Sequence, residues 1–146
     1  MKRIAVTVMT GAALALLSSS FSERAAAASN APPKDRVVAM YFHRTERCPT
    51  CLKMGSYTEE AITRGFAAQL KAGAVELHSI DFQDKKNAAL TKGYRITGPA
   101  LIVAKVVDNK VAEFKNLKEI WTHVGDKNAF IKYVQDNVTA YQAAAK

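Results

Sequence analysis

Two cysteines, Cys48 and Cys51, stand three residues apart around Pro49-Thr50, directly after the unbroken apolar run Val37-Val38-Ala39-Met40-Tyr41-Phe42. No other feature of the chain limits its fold as much. The run does not alternate, so it reads as a strand covered on both faces. Pro49 fits the first position of a helix, where a missing N–H costs nothing. The two thiols, the only ones in the chain, therefore mark a strand-to-helix junction. A disulfide there closes a very short loop and removes little entropy from the unfolded chain, so it makes a poor staple. Helix-start N–H groups and the helix dipole favour negative charge, which pushes the first sulfur toward the nucleophilic thiolate.

The chain opens on Met1-Lys2-Arg3, an apolar run at 4–17, then Ser18-Ser19-Ser20 and Ala25-Ala26-Ala27-Ala28. These are the three parts of a secretory signal peptide, expected over 1–28. Cleavage after Ala27 or Ala28 satisfies the small-x-small rule, and cleavage after Ser20 is the weaker choice. An uncleaved membrane anchor is the rival reading, but the run falls short of the roughly 20 apolar residues a bilayer requires. The protein is expected to be exported, periplasmic or otherwise extracytoplasmic, with no stable membrane insertion after cleavage. Residues 29–35 are polar and proline-containing, and read as a mobile lead-in.

Of the 146 residues, 49% are apolar and 23% charged, which suits one domain, here 36–146, with a modest core. The leader holds Lys2, Arg3 and Arg24 against Glu23, so its removal lowers the net charge from +8 to +6. The lysines are scattered and only Lys85-Lys86 are adjacent, with no basic tract interleaved with aromatics. The excess reads as a solvated surface, and no nucleic-acid partner is expected.

Beyond the cysteines, residues 50–71 read as a helix, with Met54, Thr58, Ile62, Phe66 and Leu70 recurring every fourth residue. Gly55 and the capping-box pattern Ser56-Tyr57-Thr58-Glu59 allow a kink or restart there. Gly73 ends the helix, residues 74–82 form a second strand and 88–94 a short helix. A third strand starts within 96–103. Asp108-Asn109-Lys110 signals a hairpin into a fourth strand at 111–115. Residues 117–124 and 126–143 read as helical, broken at Gly125, with Trp121 and the tyrosines taken as core or helix-packing residues. The expected fold is α/β, a four-stranded mixed sheet in the order β-α-β-α-β-β-α with helices on both faces. The first two strands are parallel because a helix crosses between them.

This order, the Cys48-Pro49-Thr50-Cys51 junction and the segment Tyr94-Arg95-Ile96-Thr97-Gly98-Pro99-Ala100-Leu101 together resemble the thioredoxin-like superfamily. The last segment looks like that family's tyrosine-x-isoleucine-x-glycine stretch before a cis-proline. The resemblance implies that Cys48 is the attacking thiolate and Cys51 the resolving thiol of a redox-active Cys48–Cys51 disulfide. It implies that Pro99 is cis beside the pair, and that Gly98 and Pro99 offer backbone to a bound peptide. The chain is one residue shorter between glycine and proline than thioredoxin. Met40-Tyr41-Phe42 carries no counterpart of thioredoxin's buried acid, and Arg47 replaces its tryptophan. Residues 41–48 and Trp121-Thr122-His123-Val124-Gly125-Asp126-Lys127 also resemble a small exported thioredoxin-like family named as a nitrophenyl-compound nitroreductase subunit. No flavin- or nicotinamide-binding feature accompanies that likeness, so its activity is not carried over and no cofactor is expected.

The resulting expectation is an exported thiol-disulfide oxidoreductase. It exchanges with protein thiols or disulfides, is served by an unidentified electron donor or acceptor, and is monomeric. Arg44 and Arg47, with His43, are expected to lower the Cys48 pKa and give a couple more oxidising than thioredoxin's. Two other classes stay open. One is a non-catalytic protein binding a soft metal or metalloid through Cys48, Cys51 and His43. The other is an interaction module or redox accessory subunit with vestigial cysteines. No dedicated metal site is expected, since His78 and His123 lie far off in sequence and zinc wants four ligands.

Overall fold

The apolar run ahead of the cysteines forms β1, Arg36–His43, and seven of its eight residues are buried. The computed structural model describes residues 31–143; the expected leader, with residues 29 and 30 of the lead-in, lies outside the described residues. Successive side chains of a strand point to opposite faces, and β1 divides accordingly. Val37, Ala39 and Tyr41 join one core cluster with Met54, Ile62, Phe130 and Val134. Val38, Met40 and Phe42 join a second with Ile80, Ile102 and Val106. A strand that serves two cores must be apolar throughout, which is the physical reason its sequence does not alternate.

After β1 the chain forms α1 (Pro49–Gly65), α2 (Ala67–Lys71) and β2 (Val75–Asp81). A 3-10 turn (Lys85–Asn87) leads into α3 (Ala88–Gly93), followed by β3 (Ala100–Val107), β4 (Lys110–Asn116), α4 (Ile120–His123) and α5 (Lys127–Ala143). The sheet order is β2-β1-β3-β4. β1 runs parallel to β2, with Val37 opposite Val75 and His43 opposite Asp81. It runs antiparallel to β3, with Phe42 opposite Ala100. β3 and β4 form an antiparallel hairpin. Asp108 and Asn109 turn it with φ of 48° and 62°, the left-handed pair that a type I′ turn demands. α1 and α5 cover one face of the sheet together with Leu117 and Ile120. The other face is covered more thinly, by Ile96, Phe82 and Tyr94.

The every-fourth-residue stripe is buried as expected at Met54, Thr58, Ile62 and Phe66. The helix break, however, falls at Phe66, whose backbone leaves the helix with φ −135°, and not at Gly55. A Cβ on Gly55 would lie 3.1 Å from the Tyr41 ring, so glycine lets α1 lie close on β1 while the helix runs through. Ser56 is therefore helix interior and its capping-box pattern goes unused. Thr58 instead donates to the Met54 carbonyl at 2.7 Å. The helix expected over 117–124 shortens to α4, because Leu117 N–H bonds the Leu101 carbonyl at 2.8 Å and its side chain is buried. The described part of the lead-in is tied at three points: Asn109 N–H donates to Lys34 O, Asp108 N–H to the Asp35 carboxylate, and the Arg36 guanidinium to Pro33 O. No helix among the described residues is long and apolar enough to cross a membrane.

Candidate functional site

Cys48 caps α1. Its backbone is extended (φ −70°, ψ 161°) and its sulfur accepts the Cys51 N–H at 3.3 Å. The helix closes its first bond from Leu52 N–H to the Cys48 carbonyl. Cys48 is exposed, whereas Cys51, on the inward side of the same turn, is 5% exposed. Both thiols are free, and their sulfurs lie 2.9 Å apart. The Cys51 thiol, followed by the Cys51 backbone N–H, holds the Cys48 pKa below the ordinary thiol value. Burial, followed by the hydrogen bond with Cys48, pushes the Cys51 pKa up. The two sulfurs are thus made unlike by position alone: the outer one loses its proton more readily and the inner one holds its proton more tightly.

Below them lies Tyr41, whose hydroxyl donates to the Cys51 carbonyl at 2.8 Å. Burial pushes this phenol far above its ordinary range, so it remains a donor. It ties β1 directly to the first turn of α1. The connecting loop is pinned to the end of β2 as well: Thr45 Oγ1 donates to Asp81 at 2.7 Å and Thr45 N–H to Gln83 at 3.0 Å. The Thr45 hydroxyl first, and then the Gln83 N–H that donates to Asp81 at 2.9 Å, hold the Asp81 carboxyl below the usual carboxylate range.

The basic residues expected to tune Cys48 do otherwise. Arg47 donates to His43 Nε2 at 2.5 Å and to Ser79 Oγ at 3.3 Å, which turns it toward β2. The Arg44 charge acts on Cys51, where it opposes the upward shift. His43 is buried, and its Nδ1 lies 2.8 Å from the Arg44 carbonyl. A carbonyl can only accept, so Nδ1 carries the hydrogen and Nε2 receives the Arg47 donor. Neither arginine nor His43 is among the causes of the Cys48 shift. The contacts that lower the Cys48 pKa lie within its own helical turn.

Pro99 is the second correction: every peptide bond of the described residues is trans, including Gly98–Pro99. Trans is the preferred form of an X–Pro bond by about 0.5–1 kcal/mol. In this chain Gly98 directly precedes the proline and leaves no intervening residue. The Ala100–Phe42 pair nonetheless sets this loop at the same end of the sheet as the cysteines. Gly98 and Pro99 line a recess of about 260 Å³ with Arg95, Lys118 and Trp121, and neither cysteine lines it. Trp121 is 47% exposed there, so of the two expected roles, core or helix-packing, the core one does not hold. It belongs to the four-residue α4, whose buried residue is Ile120.

Among the described residues no three His, Cys, Asp or Glu side chains gather where they could hold a metal ion. His43 has both ring nitrogens engaged, so it does not join the cysteines as a third ligand. His78 bonds Glu76 at 2.9 Å, and His123 sits 3.8 Å from Glu119.

Sequence reasoning missed Tyr41, Thr45, Asp81 and Gln83 as supports of the site. Tyr41 carried a signal: its parity along β1 points it to the same face as Val37 and Ala39, the face the following helix covers. Asp81 and Gln83 carried none, since nothing local shows that the end of the second strand meets the loop after the first.

No protein-family model matches the chain, and no curated protein matches it. Solved structures do. A malarial protein matches with 18% identity over 66% of this chain and 94% of its own, at a TM-score of 0.42. Chloroplastic thioredoxin z matches with 22% identity over 66% of this chain and 81% of its own, at 0.39. A thioredoxin from Thermus thermophilus matches with 22% identity over 62% and 72%, at 0.36. The mixed four-stranded sheet, with β1 parallel to β2, an antiparallel β3–β4 hairpin and α1 leaving the end of β1, is the arrangement expected from the sequence.

Proposed function

We propose that the protein is an exported thiol-disulfide oxidoreductase acting on protein partners through Cys48 and Cys51. One observation carries this reading: an exposed sulfur at the open end of α1, held as acceptor by the Cys51 N–H at 3.3 Å, with a buried second sulfur 2.9 Å away. An inert structural thiol requires neither the exposure nor the lowered pKa.

The Cys48 thiolate attacks one sulfur of a partner disulfide. A Cys48–partner S–S bond forms, the partner's own S–S bond breaks, and the released partner sulfur leaves as a thiolate that takes a proton. Cys51 then loses its proton and attacks the Cys48 sulfur. The Cys48–Cys51 bond forms and the second partner thiolate leaves, so two electrons have passed from the pair to the partner. The reverse sequence oxidises a dithiol. Turnover in the reducing direction requires a dithiol donor to restore the pair. Stabilising the Cys48 thiolate stabilises the reduced form, and so favours a couple more oxidising than thioredoxin's, near about −270 mV. Gly98 and Pro99, at the same end of the sheet, are assigned to hold the partner's backbone.

Reduction of insulin by the mature chain, with dithiothreitol as donor, tests the reading. Turnover is expected from the wild type and lost in Cys48→Ser. Cys51→Ser is expected to retain the attack and trap a mixed disulfide at Cys48. Absence of turnover in the wild type, or trapping at Cys51 in place of Cys48, would overturn it.

A further inference from the structure

We infer that the cavity beside the first turns of α1 binds a small organic monoanion with an apolar body, its charged head seated on Arg47. The cavity measures about 520 Å³ and lies between α1 and the edge strand β2, open to solvent on one side. That volume falls within the range of small-molecule sites, which pair apolar walls with a few fixed polar groups. Three observations give it a chemistry.

The first is the head group. Arg47 is the residue directly before Cys48, and among the described residues no carboxylate pairs with its guanidinium. Its bonds go to two neutral acceptors, His43 Nε2 and Ser79 Oγ. Both come from one nitrogen of a planar fork that carries five N–H donors. The fork is therefore oriented by its neighbours without being neutralised, which suits a carboxylate or similar anion. The second is the space. Gly55 stands in mid-helix, where glycine costs about 1 kcal/mol against alanine. A Cβ there would meet the Tyr41 ring at 3.1 Å and the Arg47 guanidinium at 3.8 Å. The missing side chain keeps open the ground between the charge and the aromatic floor. The third is the body. Leu52, Leu70 and Leu77 also line the cavity, and Leu52 is 53% exposed. These side chains leave apolar surface in water that a ligand's apolar part would cover. Glu59 lines the same cavity, so a second negative charge on the ligand would meet a carboxylate; this is why the inference is a monoanion.

The site is separate from the sulfur chemistry but touches it. Its floor, Tyr41, holds the Cys51 carbonyl, and its cation precedes Cys48 in the chain. Binding is read without thiol exchange, so this inference and the redox reading fail independently.

Titration of the 15N-labelled mature chain with octanoate, followed by NMR, tests it. Saturable shifts are expected at Gly55, Ser56, Leu77 and Ser79. Octanamide, which keeps the body and loses the charge, and acetate, which keeps the charge and loses the body, are each expected to bind at least about tenfold more weakly, in line with a charge-assisted hydrogen bond and a buried apolar chain. Arg47→Gln is expected to lose octanoate by a similar factor, and Arg47→Lys to recover part of it. Unaltered affinity in Arg47→Gln, equal binding of octanamide, or shifts confined to the opposite face at Leu90, Val111 and Phe114 would each overturn it. So would the absence of any saturable shift.

Discussion

Two junctions meet at one end of the sheet, and they are built differently. The one from β1 to α1 carries Cys48 and is held from every side: Tyr41 ties its helix turn, while Asp81 and Gln83 tie its loop. The one from α3 to β3 carries Gly98 and Pro99. A Cβ on Gly98 would meet nothing within 4 Å, and the recess beside it is walled by a half-exposed tryptophan. The difference separates chemistry from contact. A sulfur that must keep a charge and face a second sulfur at fixed range needs its neighbours locked. A surface proposed to offer backbone to an incoming chain would gain from being open.

Substitutions at the two junctions should separate them sharply. The largest contrast is in turnover. Cys48→Ser should abolish insulin reduction, whereas Trp121→Ala should leave Cys48 fully reactive toward iodoacetamide and change only partner affinity. Full loss of iodoacetamide reactivity in Trp121→Ala would merge the two regions into one.

Next comes pH. The Cys48 pKa is lowered in the folded protein, so the thiolate persists below the ordinary thiol range and is lost as pH falls through the lowered value. Iodoacetamide labelling should therefore have its half-rise at a lower pH than that of an unperturbed cysteine in a short peptide. Because the Cys51 thiol is the leading cause, Cys51→Ala should move that half-rise upward, and Cys51→Ser, which keeps a donor, should move it less. An unmoved midpoint in Cys51→Ala would return the effect to the arginines.

Stability gives a smaller contrast. Tyr41→Phe removes a buried hydroxyl and its hydrogen bond to the Cys51 carbonyl, which should cost about 0.5–1.5 kcal/mol in urea unfolding. It should also loosen the first turn of α1, seen as faster exchange of the Cys51 and Leu52 amides. Gly98→Ala has open space around the new methyl and should stay within about 0.5 kcal/mol of the wild type. A Gly98→Ala loss as large as that of Tyr41→Phe would show that the open junction is in fact locked.

Much of this frame was legible in the chain. The unbroken apolar run of β1, Pro49 at the helix start, the stripe from Met54 to Phe66 and the Asp108-Asn109 turn each carry their signal within a few residues. The same holds for the contrast between Cys48 and Cys51, whose sulfurs belong to one helical turn. The errors share the opposite character. The direction of Arg47 was settled by His43 and Ser79, the latter 32 residues away. The passage of α1 through Gly55 was settled by its fit on Tyr41, 14 residues earlier in the chain. The exposure of Trp121 was settled by Leu117 and Ile120 taking the buried positions around it.

Local pattern by itself fixed which segments are strand and helix, the parallel sense of the first two strands, and the placing of two thiols at a helix start, because hydrophobic period, capping chemistry and turn chemistry act over one or two turns of chain. The tertiary structure alone decided the order β2-β1-β3-β4, the trans bond before Pro99, the pinning of the cysteine loop by Asp81, and the cavity into which Arg47 turns. Each of these depends on which distant surfaces come to face one another, and packing between remote segments leaves no periodic trace in the residues that take part.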